Sequence, residues 1–460
     1  MSIRPIWSKP TLISEWGDDE QEERDTYWTS LFYDLIIVSG VSAISDPFDE
    51  TVEYESGEDV AEGNVLVPIM PLLADALIQF LMLIIPWSFL NEYTSTFQDE
   101  SLVGHMALFV HLLGLATTAA GCVGELEFNY HRLGYGIILA KVGLILLYLG
   151  PLIHIKQARS HMQIRCLCSL LVIVVTIVSI WLDSDYENFD RFRIVLYGIA
   201  IWDLASIPFV LLAKTGRLRI HIGQFTDRFR ELTMIIFGEA IFSITLQSQA
   251  TSDKTADFYT ALAFTLWLIF SLALNEFDLF PRPDDHAMRR SIKFGLLWNY
   301  TMTCKTVFLL ATSIGIKRTH YLVWADESKI DRGTQNFLFY GVSCTLFAVV
   351  LIRSYSFGWG RHPGPNDPPK LVVLKISWWT VTTIFALAPV FMDKVIILLD
   401  HEPSPLFVLM SLGIYLLLFT IFEAILSNLA AAMTGVKLSS GSNYLGGTPL
   451  HQSYGSISDE

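Results

Sequence analysis

Apolar residues in this chain are blocked rather than alternating. Runs lie near 28–45, 65–90, 102–121, 132–153, 165–182, 192–213, 231–248, 258–277, 293–316, 337–357, 371–392 and 404–433. Each reaches or approaches the roughly 20 residues needed to cross a hydrocarbon core. Unpaired backbone cannot persist in lipid, so each run is predicted to be a helix, locally broken where Pro68, Pro71, Pro86, Pro208 or Pro389 intervenes. The pattern predicts an all-α, polytopic integral membrane protein of about twelve transmembrane helices.

Composition agrees and narrows the classes. Of 460 residues, 52% are hydrophobic and 17% charged, with a mean hydropathy of +0.44, which excludes a soluble domain of this length. The net charge of −15 is clustered rather than spread: 46–64 holds Asp46, Asp49, Glu50, Glu53, Glu55, Glu58, Asp59 and Glu62 without one Lys or Arg. That loop reads either as a solvated extramembrane segment or as a cation-attracting vestibule. No basic face laced with aromatics points to nucleic acid. Five cysteines, Cys122, Cys166, Cys168, Cys304 and Cys344, lack zinc or disulfide spacing and read as reduced. The acidic N-terminal segment does not resemble a cleaved signal, so the first span is predicted to be retained. Segments on the N-terminal side of the membrane carry roughly twice as many Lys and Arg as the opposite loops, which places both termini in the cytoplasm. Trp28, Trp87, Trp181, Trp324 and Trp359 fall near run ends, as an interfacial belt would.

Isolated acids stand inside this apolar body. Asp34 heads the run in "SLFYDLIIVSG", and Glu239 repeats the oddity in "ELTMIIFGEAIFSI". Two further echoes follow in order: "FLNEYTSTFQDE" (89–100) with "ALNEFDLFPRPDD" (273–285), and "IWDLASI" (201–207) with "IFEAILS" (421–427), which carry Asp203 and Glu423. Six spans separate the members of each pair. An even offset means that both halves enter the membrane in the same direction, so two parallel six-helix repeats are expected, 28–213 and 231–433. The segments 1–27 and 434–460 flank them as cytoplasmic ends, the latter Ser/Gly-rich and expected to be disordered.

The motifs resemble a known family. "LFYDLIIVSGVSAIS" resembles the leading motif of the bacterial low temperature requirement A family, Leu-Phe-Phe-Asp-Leu-Val-Phe-Val, and "HIGQFTDRFRELTMIIFGEAI" is similar to its later His-Leu-x-Glu-Arg-Phe…Leu-Gly-Glu-Ser-Ile stretch. The resemblance assigns the family's acids to Asp34 and Glu239, its Gly-Glu pair to Gly238 and Glu239, and its preceding His to His221. Where the family commonly has Glu-Arg-Phe, this chain has Asp227, Arg228 and Phe229, and Ala240 stands in place of its Ser. The acidic loop and Ser-rich tail look like a eukaryotic elaboration. The family's name records a growth phenotype, so the resemblance implies fold rather than chemistry.

A charged side chain at mid-membrane costs roughly 2.5–3.5 kcal/mol on insertion scales, so such residues face the bundle interior and have a partner or a task. In or near the spans stand Asp34, Asp75, Asp203, Glu239 and Glu423, against which the runs offer only Lys141 and Lys305. The excess of acid predicts that some are protonated or bind a cation. Three uses remain open. The acids hold the halves together through hydrogen bonds to Ser39, Ser42 or Ser243; or they form a pseudo-symmetric transporter-like or channel-like site for a proton, cation or small solute; or a protonated carboxyl, Asp34 or Glu239, acts in an intramembrane isomerase or terpene cyclase on an isoprenoid, with Phe and Trp faces steadying the cation. Asn91–Glu92 and Asn275–Glu276 close their spans on the cytoplasmic side, as caps, as a gate, or with Asp99, Glu100, Asp284 and Asp285 as a divalent-cation site. His105 and His111, six residues apart on a helix, diverge too far to share a metal and read as ordinary buried histidines. No metal or cofactor is expected, and the partners expected are membrane lipid and one small solute, ion or isoprenoid.

Overall fold

The computed structural model describes residues 9–12, 28–45, 66–99, 101–123, 126–182, 189–212, 218, 220–249, 256–277, 286–324, 329–356, 369–399 and 403–434. Helices account for nearly all of them: α1 (Trp28–Ser45), α2 (Leu66–Thr96), α3 (Leu102–Gly121), α4 (Leu126–His154), α5 (Arg159–Leu182), α6 (Phe189–Leu212), α7 (Ile222–Gln249), α8 (Ala256–Phe277), the short α9 (Ala287–Arg290), α10 (Ile292–Trp324), α11 (Arg332–Tyr355), α12 (Pro369–Leu399) and α13 (Pro405–Thr434). Thr11–Leu12 pairs antiparallel with Phe97–Gln98, a two-residue ladder that ties the N-terminal segment to the end of α2. The acidic loop 46–64 and the tail 435–460 lie outside the described residues.

Among the described residues each apolar run coincides with a helix to within two residues at the ends that overhang, and several helices outrun the apolar stretch that announced them. α7 starts at Ile222 rather than 231, because His221 caps it: its Nδ1 accepts from Gln224 N at 3.0 Å. α10 continues to Trp324, past Lys317 and Arg318. The expected proline breaks do not occur; helix continues through Pro68, Pro71, Pro86, Pro208 and Pro389, as it can when neighbouring helices and local adjustments re-satisfy the freed backbone groups.

Eight helices among the described residues are long and apolar enough to cross a membrane: those of α2, α3, α4, α5, α8, α11, α12 and α13. The other long helices, α1, α6, α7 and α10, carry Asp34, Asp203, Arg228 with Glu239, and Lys305, all buried. Their polarity is therefore an interior feature. Among the eight, α2 and α11 are mostly enclosed by protein, whereas α5 and α12 present Leu167, Leu170, Val174, Ile376 and Ile384 outward. Exposed apolar surface on this scale matches lipid as solvent.

Two helix pairs approach closely enough to need glycine, in the same arrangement. On α3 and α4, a Cβ at Gly121 would lie 2.6 Å from Leu133 N, and one at Gly136 would lie 2.4 Å from Thr118 N. On α10 and α11, a Cβ at Gly315 would lie 2.8 Å from Leu338 N, and one at Gly341 would lie 2.7 Å from Thr312 Oγ1. Each pair joins Thr-x-x-Gly on one helix to Leu-x-x-Gly on the next, a small-residue contact of the kind that packs helices where lipid offers no hydrophobic drive.

Trp87 departs from the expected aromatic belt. It is fully buried, because α2 runs through the centre and carries Trp87 inward, whereas Trp181 stands exposed as expected.

Gly136→Ala is expected to lower stability by about 1–3 kcal/mol through overpacking against Thr118, while Gly198→Ala, whose Cβ would meet nothing within 4 Å, leaves it unchanged. Thermal unfolding of the detergent-purified protein checks the difference.

Candidate functional site

The site grows from the start of α7. Because the cap at His221 brings "TDRFRE" inside the helix, Arg228 and Glu231 lie three residues apart on one face. Arg228 Nη1 donates to Asp34 Oδ2 at 2.9 Å and Nη2 to Asp34 Oδ1 at 2.8 Å, a bidentate fork from α7 to α1. Nη1 also donates to Glu231 Oε2 at 2.6 Å. One guanidinium thus holds two carboxylates. Asp34 and Arg228 are buried, and Glu231 keeps 32% of its side chain exposed. Trp87 Nε1 points at Asp34 Oδ1 from 3.5 Å, at the outer limit of a hydrogen bond.

Aromatic and backbone contacts fix this junction. Trp87 meets Phe229 edge-on at 5.0 Å, and Phe229 meets Trp298 of α10 edge-on at 5.6 Å. Asn91 Nδ2 donates to Phe225 O at 3.2 Å, and His221 N donates to Ser95 O at 2.8 Å. His286, ahead of α9, closes the far side: Thr226 Oγ1 lies 3.3 Å from its Nε2, and burial, then Arg289 and Arg230, push its pKa down to about 3. Its ring is neutral: Nδ1 accepts from Met288 N at 3.2 Å, so the proton sits on Nε2, which donates to Thr226 Oγ1.

The other candidate acids have cations as well. Asp203 of α6 pairs with Lys141 of α4 at 2.6 Å, and Glu423 of α13 pairs with Arg353 of α11 at 2.5 Å, all four side chains buried. Arg353 Nη2 also donates to Asn275 O at 3.2 Å, while Asn275 Nδ2 donates to Ser271 O at 2.9 Å. Asp75, partly buried, pairs with Arg193 at 2.6 Å. Glu92 binds Arg165 and lies 3.3 Å from His161 Nε2, and Arg165 Nη1 reaches Ser206 Oγ at 3.3 Å. The Phe89 ring lies 4.7 Å from both Lys141 Nζ and the Arg165 guanidinium. Glu239 is buried on α7 and engaged there. The side chain of Glu276, with Glu100, Asp284 and Asp285, lies outside the described residues. Asp99 Oδ1 accepts from Ser101 N at 2.9 Å, a turn ahead of α3. Among the described residues no three His, Cys, Asp or Glu groups are placed to hold one metal.

Two expectations need correction. Lys141 and Lys305 are not the only bases in reach: Arg165 opens one apolar run, Arg193 and Arg353 lie inside two others, and Arg228, three residues ahead of its run, is brought in because α7 starts at Ile222. The supposed surplus of acid disappears with them, and so does the need for protonation or a bound cation to relieve it. Nor does Asp34 share a hydrogen-bonded centre with Glu239. Its partners are Arg228 and Trp87, and Glu239 stands eleven residues beyond Arg228 on α7, about 16 Å of helix rise. The signal that could have exposed the clamp was "DRF" itself, an arginine one residue before the aromatic that leads into the apolar face.

Long apolar helices around a core of paired charges define a polytopic integral membrane protein. Residues 26–435, nearly the whole chain, match the family model described as "Bacterial low temperature requirement A protein (LtrA)", and the chain belongs to that family. No curated protein and no solved structure matches it.

Removing one partner of a buried pair strands the other charge, at about 3–5 kcal/mol. Arg228→Gln strands both Asp34 and Glu231 and is expected to cost that much, whereas Asp34→Asn leaves Arg228 on Glu231 and costs less. The ranking is read from denaturation midpoints of the two variants in the same detergent.

Proposed function

We propose that the chain is a transporter-like or channel-like protein for a proton, cation or small solute, with its working site at the clamp of Asp34, Arg228 and Glu231. In this reading it is built as two parallel six-helix repeats, 28–213 and 231–433, with both termini in the cytoplasm. The observation that carries the proposal is the two-to-one stoichiometry of the clamp. It joins the first helix of one repeat to the first helix of the other, and one of its two carboxylates is partly open to solvent. A cation or proton arriving at Glu231 or Asp34 competes with Arg228, and releasing Arg228 unties the junction between the repeats. Occupancy of the site is thereby coupled to the relative position of the halves, the logic of alternating access around an interface between repeats.

Supporting the repeat are features outside the sequence echoes. A base on the fourth helix pairs with an acid on the sixth in each half, Lys141 with Asp203 and Arg353 with Glu423. The Thr-x-x-Gly and Leu-x-x-Gly contacts recur between the third and fourth helices. These pairs, with Asp75 and Arg193, are assigned a framing role. Asn91 and Glu92, and their counterparts Asn275 and Glu276, are assigned to the cytoplasmic entrance. Weighing against an isoprenoid cyclase that uses Asp34 as its acid is the bidentate arginine, which fits a carboxylate and leaves no proton to donate.

Asp34→Asn, reconstituted in proteoliposomes, is expected to reduce proton- or alkali-cation-dependent flux at least tenfold, equivalent to about 1.4 kcal/mol, with folded yield retained. Flux equal to that of the unmodified protein overturns the proposal.

A further inference from the structure

The two repeats differ at one register. Lys305 precedes Thr312 of the α10–α11 contact by seven residues, and His111 precedes Thr118 of the α3–α4 contact by the same seven. Both are fully buried. The second half therefore carries an ammonium, itself engaged by its surroundings, where the first carries an imidazole.

His111 is held with a definite polarity. Its Nδ1 lies 2.8 Å from Ala140 O. A carbonyl only accepts, so Nδ1 carries the proton. No carboxylate is hydrogen-bonded to the ring, and an unpaired charge in this setting is strongly disfavoured, so the imidazole is neutral and Nε2 is a bare acceptor. Among the described residues that Nε2 has no hydrogen-bond partner. Facing His111 from α1 is Tyr33, 2% exposed, with ring centroids 6.1 Å apart, and among the described residues its Oη likewise has no hydrogen-bond partner. Tyr33 adjoins Asp34 in sequence and lies in the field of Asp34 and Arg228. A buried phenol donor and a buried imidazole acceptor, both unmatched, thus stand beside the clamp. Leaving such groups bare forfeits the hydrogen bonds each would make to water.

We infer that Tyr33 and His111 form a binding position for one neutral hydroxyl, from water or from a small alcohol, which accepts from Tyr33 Oη and donates to His111 Nε2. A hydroxyl satisfies both groups at once because it is both donor and acceptor; an ammonium cannot accept and a carboxylate cannot donate. In the second half the same register is occupied by Lys305, so the position is not repeated there and the two repeats are unequal. This inference deepens the proposed function, and rests on it for the register between the halves.

The test is solid-state NMR of the full chain in lipid nanodiscs, with 15N-labelled histidine. Water-edited transfer to a non-protonated His111 Nε2 is expected in plain buffer, and attenuation of that transfer by deuterated glycerol identifies an alcohol as a competitor for the same position; either result supports the site. Tyr33→Phe, which removes only the donor oxygen, is expected to bring the transfer to background while the Nδ1–H signal persists, and His111→Phe serves to assign the resonance. A protonated Nε2, a dry Nε2, or transfer unchanged in Tyr33→Phe overturns the inference. Transfer present together with Asp34→Asn flux unchanged overturns the transport reading alone; transfer absent with that flux lost overturns the hydroxyl position alone.

Discussion

A charge enclosed by lipid-embedded helices is tolerable only with a partner at hydrogen-bonding distance, and this requirement organises the interior. Asp34, Asp75, Glu92, Asp203 and Glu423 each meet a cation on another helix. Such pairs contribute little net stability, since desolvation offsets most of the attraction. Their effect is on specificity: a helix rotated or slid by one residue would separate donor from acceptor and strand both, so the pairs select one packing among many that apolar surfaces would accept about equally.

The contact of α1 with α7 at Arg228 differs from the one-to-one pairs in stoichiometry. Lys141–Asp203 and Arg353–Glu423 are one-to-one and enclosed, whereas Arg228 serves two carboxylates, one of them at the edge of solvent. The carboxylates of the closed pairs are shut away from solvent, whereas the clamp keeps one of its carboxylates, Glu231, partly open. Around it the aromatic contacts of Trp87, Phe229 and Trp298 restrict where Arg228 can go.

Close packing supplies the rigid background. The glycine contacts of α3 with α4 and of α10 with α11 bring backbones together with no side chain between them.

Hydrophobic blocks by themselves determined the class, the helical content and the approximate place of the long helices among the described residues, because in lipid the backbone has few ways to pair and apolar length translates into a span. The family motifs were equally legible as strings of residues. The interior pairing was not. Arg165, Arg193 and Arg353 lie within apolar runs and Arg228 just ahead of one, and only the packing of their helices, with the early start of α7, brings them to their acids. Trp87 and His111 make the same point: linear spacing placed one near an interface and left the other as an ordinary core residue, while the packing of α1, α2, α3 and α7 decided that both border the Asp34 junction. Span positions are set by local composition, whereas charge partners are set by which helix faces which, a relation between segments 50 to 200 residues apart that no local pattern encodes.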